Sequence, residues 1–140
     1  MVKIYLENEE KTREIGSKLG ELLTPKSVIC LIGDLGAGKT TMTQSLARAL
    51  GVDDYITSPT FTIVNEYKNE KVNIYHFDVY RLSDIDEFYA IGGEEYFSKG
   101  ICIIEWGEII EESLPKHYTK ITIEKDENDL EKRILCIEEK

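Results

Sequence analysis

Nowhere in these 140 residues does an apolar stretch approach the ~20 consecutive residues that a membrane-spanning helix needs, so no membrane association is expected. The opening segment, Met1-Val2-Lys3-Ile4-Tyr5-Leu6-Glu7, lacks the apolar core of a signal peptide and points to a cytoplasmic protein. Cysteine is scarce: Cys30, Cys102 and Cys136 are an odd set, far apart, each inside an apolar run and without C-x-x-C spacing. That excludes a disulfide framework or a zinc site and predicts buried thiols. Basic residues are outnumbered, 17 Lys and Arg against 27 Asp and Glu, leaving a formal net charge of −10. So acidic a chain is excluded from binding nucleic acid on its own, where basic surface provides most of the affinity; it favours solubility or a protein partner with a basic face. No segment is low in complexity, none repeats, and no Pro/Gly/Ser-rich linker divides the chain. Residues 1–140 are therefore expected to form a single domain, large enough to bury about two-thirds of its unfolded surface.

What is present is sharper. Gly33-Asp34-Leu35-Gly36-Ala37-Gly38-Lys39-Thr40 fits G-x-x-x-x-G-K-[ST], the phosphate-binding loop known as Walker A or P-loop. The preceding run Val28-Ile29-Cys30-Leu31-Ile32 suits a strand buried on both faces. After the loop, Met42, Leu46, Ala49 and Leu50 make a helical stripe that Gly51 ends. Strand, glycine loop and helix in that order give the motif the context it needs. Glycines 33, 36 and 38 let the backbone curl so that successive N–H groups, from Gly33 through Leu35, Gly36, Ala37 and Gly38 to Thr41, cradle phosphate oxygens. The helix start adds its dipole. Lys39 is expected to bridge the β- and γ-phosphates of a nucleoside triphosphate, and Thr40 to offer its hydroxyl to Mg²⁺. Asp34 is read as a turn residue facing outward.

The rest of the chain alternates strands and helices. Ile4 and Leu6 mark a first strand, and Asn8 caps a helix with Ile15, Leu19, Leu22 and Leu23 as its apolar stripe. Phe61–Tyr67 and Val72–Phe77 read as a hairpin. A short helix follows Ser83 or Asp84 and stops at Gly92-Gly93, Ile101–Ile104 is a second apolar strand, and a short helix spans Glu108–Ser113. Segments near Tyr118–Ile123 and Arg133–Ile137 suggest an antiparallel pair. The sum is a three-layer α/β P-loop fold, a mixed sheet with a parallel centre and antiparallel edge strands.

A phosphate-binding loop needs an acid at the end of a neighbouring strand, to hold Mg²⁺ or orient the attacking water. Ile101-Cys102-Ile103-Ile104-Glu105 fits, and Asp78 at the end of Val72–Phe77 is the second candidate. His76 shares a sheet face with Asp78 and is read as a satisfied strand histidine rather than a general base. Arg81 is assigned a local acid such as Asp84 in preference to an arginine-finger role. Thr60 and Thr62, behind Ser58-Pro59, are either nucleotide-sensing or plain loop chemistry. Trp106 is either core packing or an exposed anchor that reports nucleotide state to a partner.

Taken together, four blocks resemble the TsaE family (older name YjeE). They are Gly33–Thr41, Ser58-Pro59-Thr60-Phe61-Thr62, Tyr75-His76-Phe77-Asp78-Val79-Tyr80-Arg81, and Ile104-Glu105-Trp106. The resemblance implies an ATPase serving the TsaB–TsaD enzyme, which transfers a threonylcarbamoyl group to adenosine 37 of ANN-decoding tRNAs. The chain would touch tRNA only through that complex. It also implies that Lys39, Asp78 and Glu105 serve catalysis, that Thr40 and Glu105 hold Mg²⁺, that Trp106 sits beside the nucleotide, and that about Glu9 to Thr12 contact adenine. Beyond Pro115 no block matches, and Arg133 is assigned no role. Two competitors lack a part: a small-metabolite kinase lacks its arginine-rich lid, and a GTP switch lacks N-K-x-D.

Overall fold

The structure, a computed structural model, describes residues 1–34, 36–57, 59 and 63–140. Seven strands form one sheet: β1 (Val2–Leu6), β2 (Val28–Ile32), β3 (Val64–Lys68), β4 (Asn73–Asp78), β5 (Ile101–Glu105), β6 (Thr119–Lys125) and β7 (Arg133–Glu139). Their order across the sheet is β1-β7-β6-β2-β5-β4-β3. The block β6-β2-β5-β4 is parallel, while β1 with β7, β7 with β6, and β3 with β4 pair antiparallel. The expected parallel centre with antiparallel edges is therefore observed. β2 and β5 are buried almost throughout, as continuous apolar runs in a parallel centre must be.

Strand alternation sends side chains to two faces, and each carries its own cluster. On one face Ile29, Leu31, Ile74, Ile101, Ile103 and Ile121 pack under α1 (Glu9–Glu21) and α2 (Lys39–Ala49), which contributes Met42, Leu46 and Ala47. On the other, Val28, Tyr75, Phe77, Cys102 and Ile104 meet Phe88 of α3 (Ile85–Ala90) and two 3₁₀ helices, Gly93–Ser98 and Gly107–Ser113. A sheet between two helical layers is the outcome.

Local signals act where expected. Asn8 caps α1, its Oδ1 accepting from Lys11 N at 2.9 Å, and Asp84 does the same for α3 toward Glu87 N at 3.2 Å. One reading needs correction. Leu22 is not in the buried stripe of α1 but 77% exposed, because the residues facing α2 are Thr12, Gly16 and Gly20. A Cβ on Gly16 would lie 2.6 Å from Ser45 Cβ, and one on Gly20 as near Ala49 Cβ, so the glycines let the helices approach at the backbone. Gly92-Gly93 stops α3 as expected, and Gly92, at φ 72°, turns the chain into a separate 3₁₀ helix. No helix among the described residues is long and apolar enough to cross a membrane. Cys30 and Cys102 are buried as expected, with burial pushing both thiols up to about 12, whereas Cys136 is only half-buried.

Candidate functional site

Where β2 ends, the chain turns through Gly33, Asp34, Gly36, Ala37 and Gly38 into the first turn of α2. Gly36 (φ 79°) and Gly38 (φ 112°) occupy the left-handed region that glycine enters without strain. Gly38 is the N-cap and carries no side chain to satisfy the helix start. Both line a cavity of about 740 Å³ at the C-terminal ends of β4 and β5, with Ala37, Lys39, Thr40 and Thr41. Gly33 is not in that lining. A Cβ there would lie 2.7 Å from the carbonyl oxygen of Ile123, so this glycine serves close approach to β6 rather than a positive φ. Asp34 is exposed, as expected, and its carbonyl accepts from Ala37 N at 3.0 Å. Leu35 lies outside the described residues.

Lys39 is 6% exposed, and its buried Nζ has no hydrogen-bond partner among the described residues. It sits 4.0 Å from the centre of the Trp106 ring. A desolvated cation over an aromatic face gains about 2 kcal/mol, well short of the cost of burying an ammonium without polar partners. An anion in the cavity would close that gap. Trp106 takes part in core packing, one of the two expected alternatives, and also reaches the cavity. Its ring is half-buried, packs against the cluster of the far face, lines the cavity, and contacts the 58%-exposed Tyr80 at 4.8 Å between centroids. Its φ of 64°, unusual for a non-glycine residue, turns the chain at the end of β5.

Across the cavity stand the two acids. Glu105 and Asp78 are register partners at the ends of β5 and β4, so both leave the sheet on the same side as Lys39. Glu105 is 3% exposed and bonded through Oε2 to His76 Nε2 at 2.5 Å; His76 itself is fully buried. The expected satisfied histidine is thus half satisfied: Nε2 holds Glu105, while Nδ1 is buried without a partner among the described residues. Asp78 accepts from Tyr80 N at 3.0 Å. Burial holds its carboxyl above the usual carboxylate range; the Glu105 charge pushes the same way, and the Tyr80 N–H and Lys39 oppose.

Two walls complete the cavity. One is the start of α1, with Asn8, Glu9, Glu10 and Thr12; Glu9 accepts from Thr41 Oγ1 at 3.2 Å and ties the two helices together. The other is the β6–β7 turn, with Leu130, Glu131 and Arg133. Arg133 is the residue that sequence reasoning missed: its guanidinium donates to the carbonyls of Ala37 at 3.1 Å and Gly36 at 3.3 Å. Arg81 is exposed and does not line the cavity. Ser58, Thr60 and Thr62 lie outside the described residues, as does Phe61.

Comparison with known proteins bears on this geometry. A family model described as "Threonylcarbamoyl adenosine biosynthesis protein TsaE" matches residues 6–134. The tRNA threonylcarbamoyladenosine biosynthesis protein TsaE of Bacillus subtilis (strain 168) is 42% identical over 123 residues, 87% of this chain and 77% of its own. The protein of the same name from Nostoc sp. is 46% identical over 113 residues, 77% and 69% of the two chains. Among solved structures, that of Bacillus subtilis YdiB superimposes with a TM-score of 0.74 at 36% identity, covering 96% of this chain and 82% of that one.

Proposed function

The chain belongs to the TsaE family of tRNA threonylcarbamoyladenosine biosynthesis proteins, and on that footing we propose that it is a P-loop ATPase binding Mg-ATP in the cavity between α2 and the ends of β4 and β5. The observation that carries the reading is the buried ammonium of Lys39, without a hydrogen-bond partner among the described residues, directly after a glycine turn and opposite two acids. The residues fit the ligand. Gly36 and Gly38 remove side chains from the loop, the α2 terminus presents its positive end, and Lys39 supplies the charge that bridges phosphates. Thr40 and Glu105 are the residues to hold Mg²⁺. No group of three or more His, Cys, Asp or Glu forms a metal cage among the described residues, which suits an ion whose other ligands are phosphate oxygens and water. When bound, Mg²⁺ neutralises charge developing on the transferred phosphoryl group.

The chain's own residues do the rest. His76 holds Glu105 through Oε2 and so fixes its carboxylate at the cavity wall. Asp78, half-buried and held by Tyr80 N, is placed to orient the attacking water. The Trp106 ring covers Lys39 and keeps bulk water from the ammonium. Arg81, the cationic side chain considered as a finger, does not line the cavity. Turnover by the isolated chain is therefore slow, near the ~10⁻⁴–10⁻² s⁻¹ of unassisted P-loop switches. The partner that accelerates it is the TsaB–TsaD pair, and tRNA is met only through that complex, in keeping with a net charge of −10.

The test is ATP hydrolysis by the purified chain with and without TsaB and TsaD, beside a Trp106 fluorescence titration with ATP and ADP. Slow turnover, stimulation by the pair and a nucleotide-dependent signal are expected. A chain that binds no ATP, or hydrolyses it fast when alone, overturns the reading.

A further inference from the structure

We propose that Arg133 is a positioning residue for the phosphate-binding loop: carried on β7, it orients the Ala37–Gly38 peptide and so sets the affinity for nucleotide phosphates. The inference rests on the nucleotide reading of the cavity. A guanidinium offers five N–H donors in a rigid fork, and four of them are engaged here. Nη1 donates to the carbonyls of Leu130 (2.6 Å) and Lys132 (2.8 Å), anchoring the fork to its own hairpin. Nε and Nη2 reach the carbonyls of Ala37 and Gly36, 96 and 97 residues away in sequence.

The consequence follows from peptide geometry. In a trans peptide the C=O and N–H point in opposite directions. Drawing the Ala37 carbonyl toward β7 turns the Gly38 N–H away from it, at the residue that lines the cavity and caps α2. Without the tether the peptide could flip, since glycine at position 38 sets no barrier of its own. The flipped carbonyl would then face phosphate oxygens and repel them. Two further contacts make the hairpin a scaffold for the loop. Gly33 packs against the Ile123 carbonyl, and a Cβ on Gly36 would lie 3.3 Å from Nζ of Lys125, the register partner of Arg133. β6 and β7, the strands with no recognisable motif, thus hold the conformation on which the motif depends.

Lysine in place of Arg133 keeps the charge but concentrates its donors on one atom, which cannot span carbonyls on both the hairpin and the loop. The experiment compares wild type, Arg133→Lys and Arg133→Ala by calorimetric titration with Mg-ATP and Mg-ADP, each protein first shown by thermal melting to be folded at the titration temperature. The ¹⁵N–¹H resonance of Gly38 is followed without nucleotide. Both variants are expected to bind about tenfold more weakly or worse, as charge-assisted bonds are lost. Gly38 should shift in Arg133→Lys, and methylguanidinium should restore part of the affinity of Arg133→Ala. Wild-type affinity in Arg133→Lys with an unmoved Gly38 resonance overturns the inference and leaves the nucleotide reading standing. Wild type that binds neither nucleotide overturns both. Should the alanine variant not fold, the lysine variant decides alone.

Discussion

Along β4 and β5 the same few residues build two unlike environments. Tyr75, Phe77, Cys102 and Ile104 face a dry layer in which Phe77 contacts Phe88 and Tyr96 at ring-centre distances of 5.9 and 5.4 Å. Their alternates on the other face begin just as apolar, with Ile74, Ile101 and Ile103, and then change character toward the C-terminal ends to His76, Asp78 and Glu105. The first face holds the molecule together and carries no chemistry. The second faces α1 and α2 and gives its last side chains to the cavity, where His76 Nδ1 is buried without a partner among the described residues. The period of two in a strand is what allows both in a few residues.

Substitutions that separate the two faces test this division, beginning with the largest effect. Phe77→Ala, in the dry layer, should cost about 3–5 kcal/mol of stability, while the molecules still folded bind ATP as wild type does; urea denaturation and calorimetry together measure both. Lys39→Ala should do the reverse. Its stability is unchanged or raised, since a buried ammonium without a hydrogen-bond partner among the described residues is removed, while ATP affinity falls by about a hundredfold, or roughly 3 kcal/mol. Glu105→Gln keeps a partner for His76 and should leave affinity almost intact while lowering Mg²⁺-dependent turnover by about a hundredfold, read from steady-state rates against equilibrium binding. His76→Ala reaches the site only through Glu105. Its expected mark is about a tenfold rise in the Mg²⁺ concentration needed for half-maximal turnover; a matching fall at saturating Mg²⁺ would point instead to general collapse. The smallest effect belongs to the dry layer again. With their thiols held at about 12 by burial, Cys30 and Cys102 should resist alkylation near pH 8, where Cys136 reacts first, as peptide mass mapping would show.

The parts of the site that could be read in the sequence are those with a local signature. The glycine loop between an apolar run and a helical stripe is one, and Glu105 after four apolar residues is another. Asn8, and either Ser83 or Asp84, were visible as caps because the cap acts within three residues of itself, and the structure selects Asp84. Other parts had no such mark. Arg133 binds backbone carbonyls, which every residue possesses, so nothing in the loop's side chains announces its partner. Gly16 and Gly20 look like weak points of a helix until α2 is laid against them. Leu22 fits an apolar stripe by spacing, yet it stands at the C-cap, beyond the face that α2 covers. Gly33 belongs to the motif by spelling, and only the fold shows that a side chain there would also collide with the Ile123 carbonyl.

Order along the chain named the candidate residue types: a glycine-rich loop, one lysine, one threonine, and acids placed at strand ends. Those are properties of short segments, governed by propensity, capping and periodicity. Which acid stands beside the histidine, which ring covers the lysine and which arginine steadies the loop came from packing one sheet between two helical layers. Contacts between residues far apart in the chain depend on register and strand order, and no local pattern encodes those.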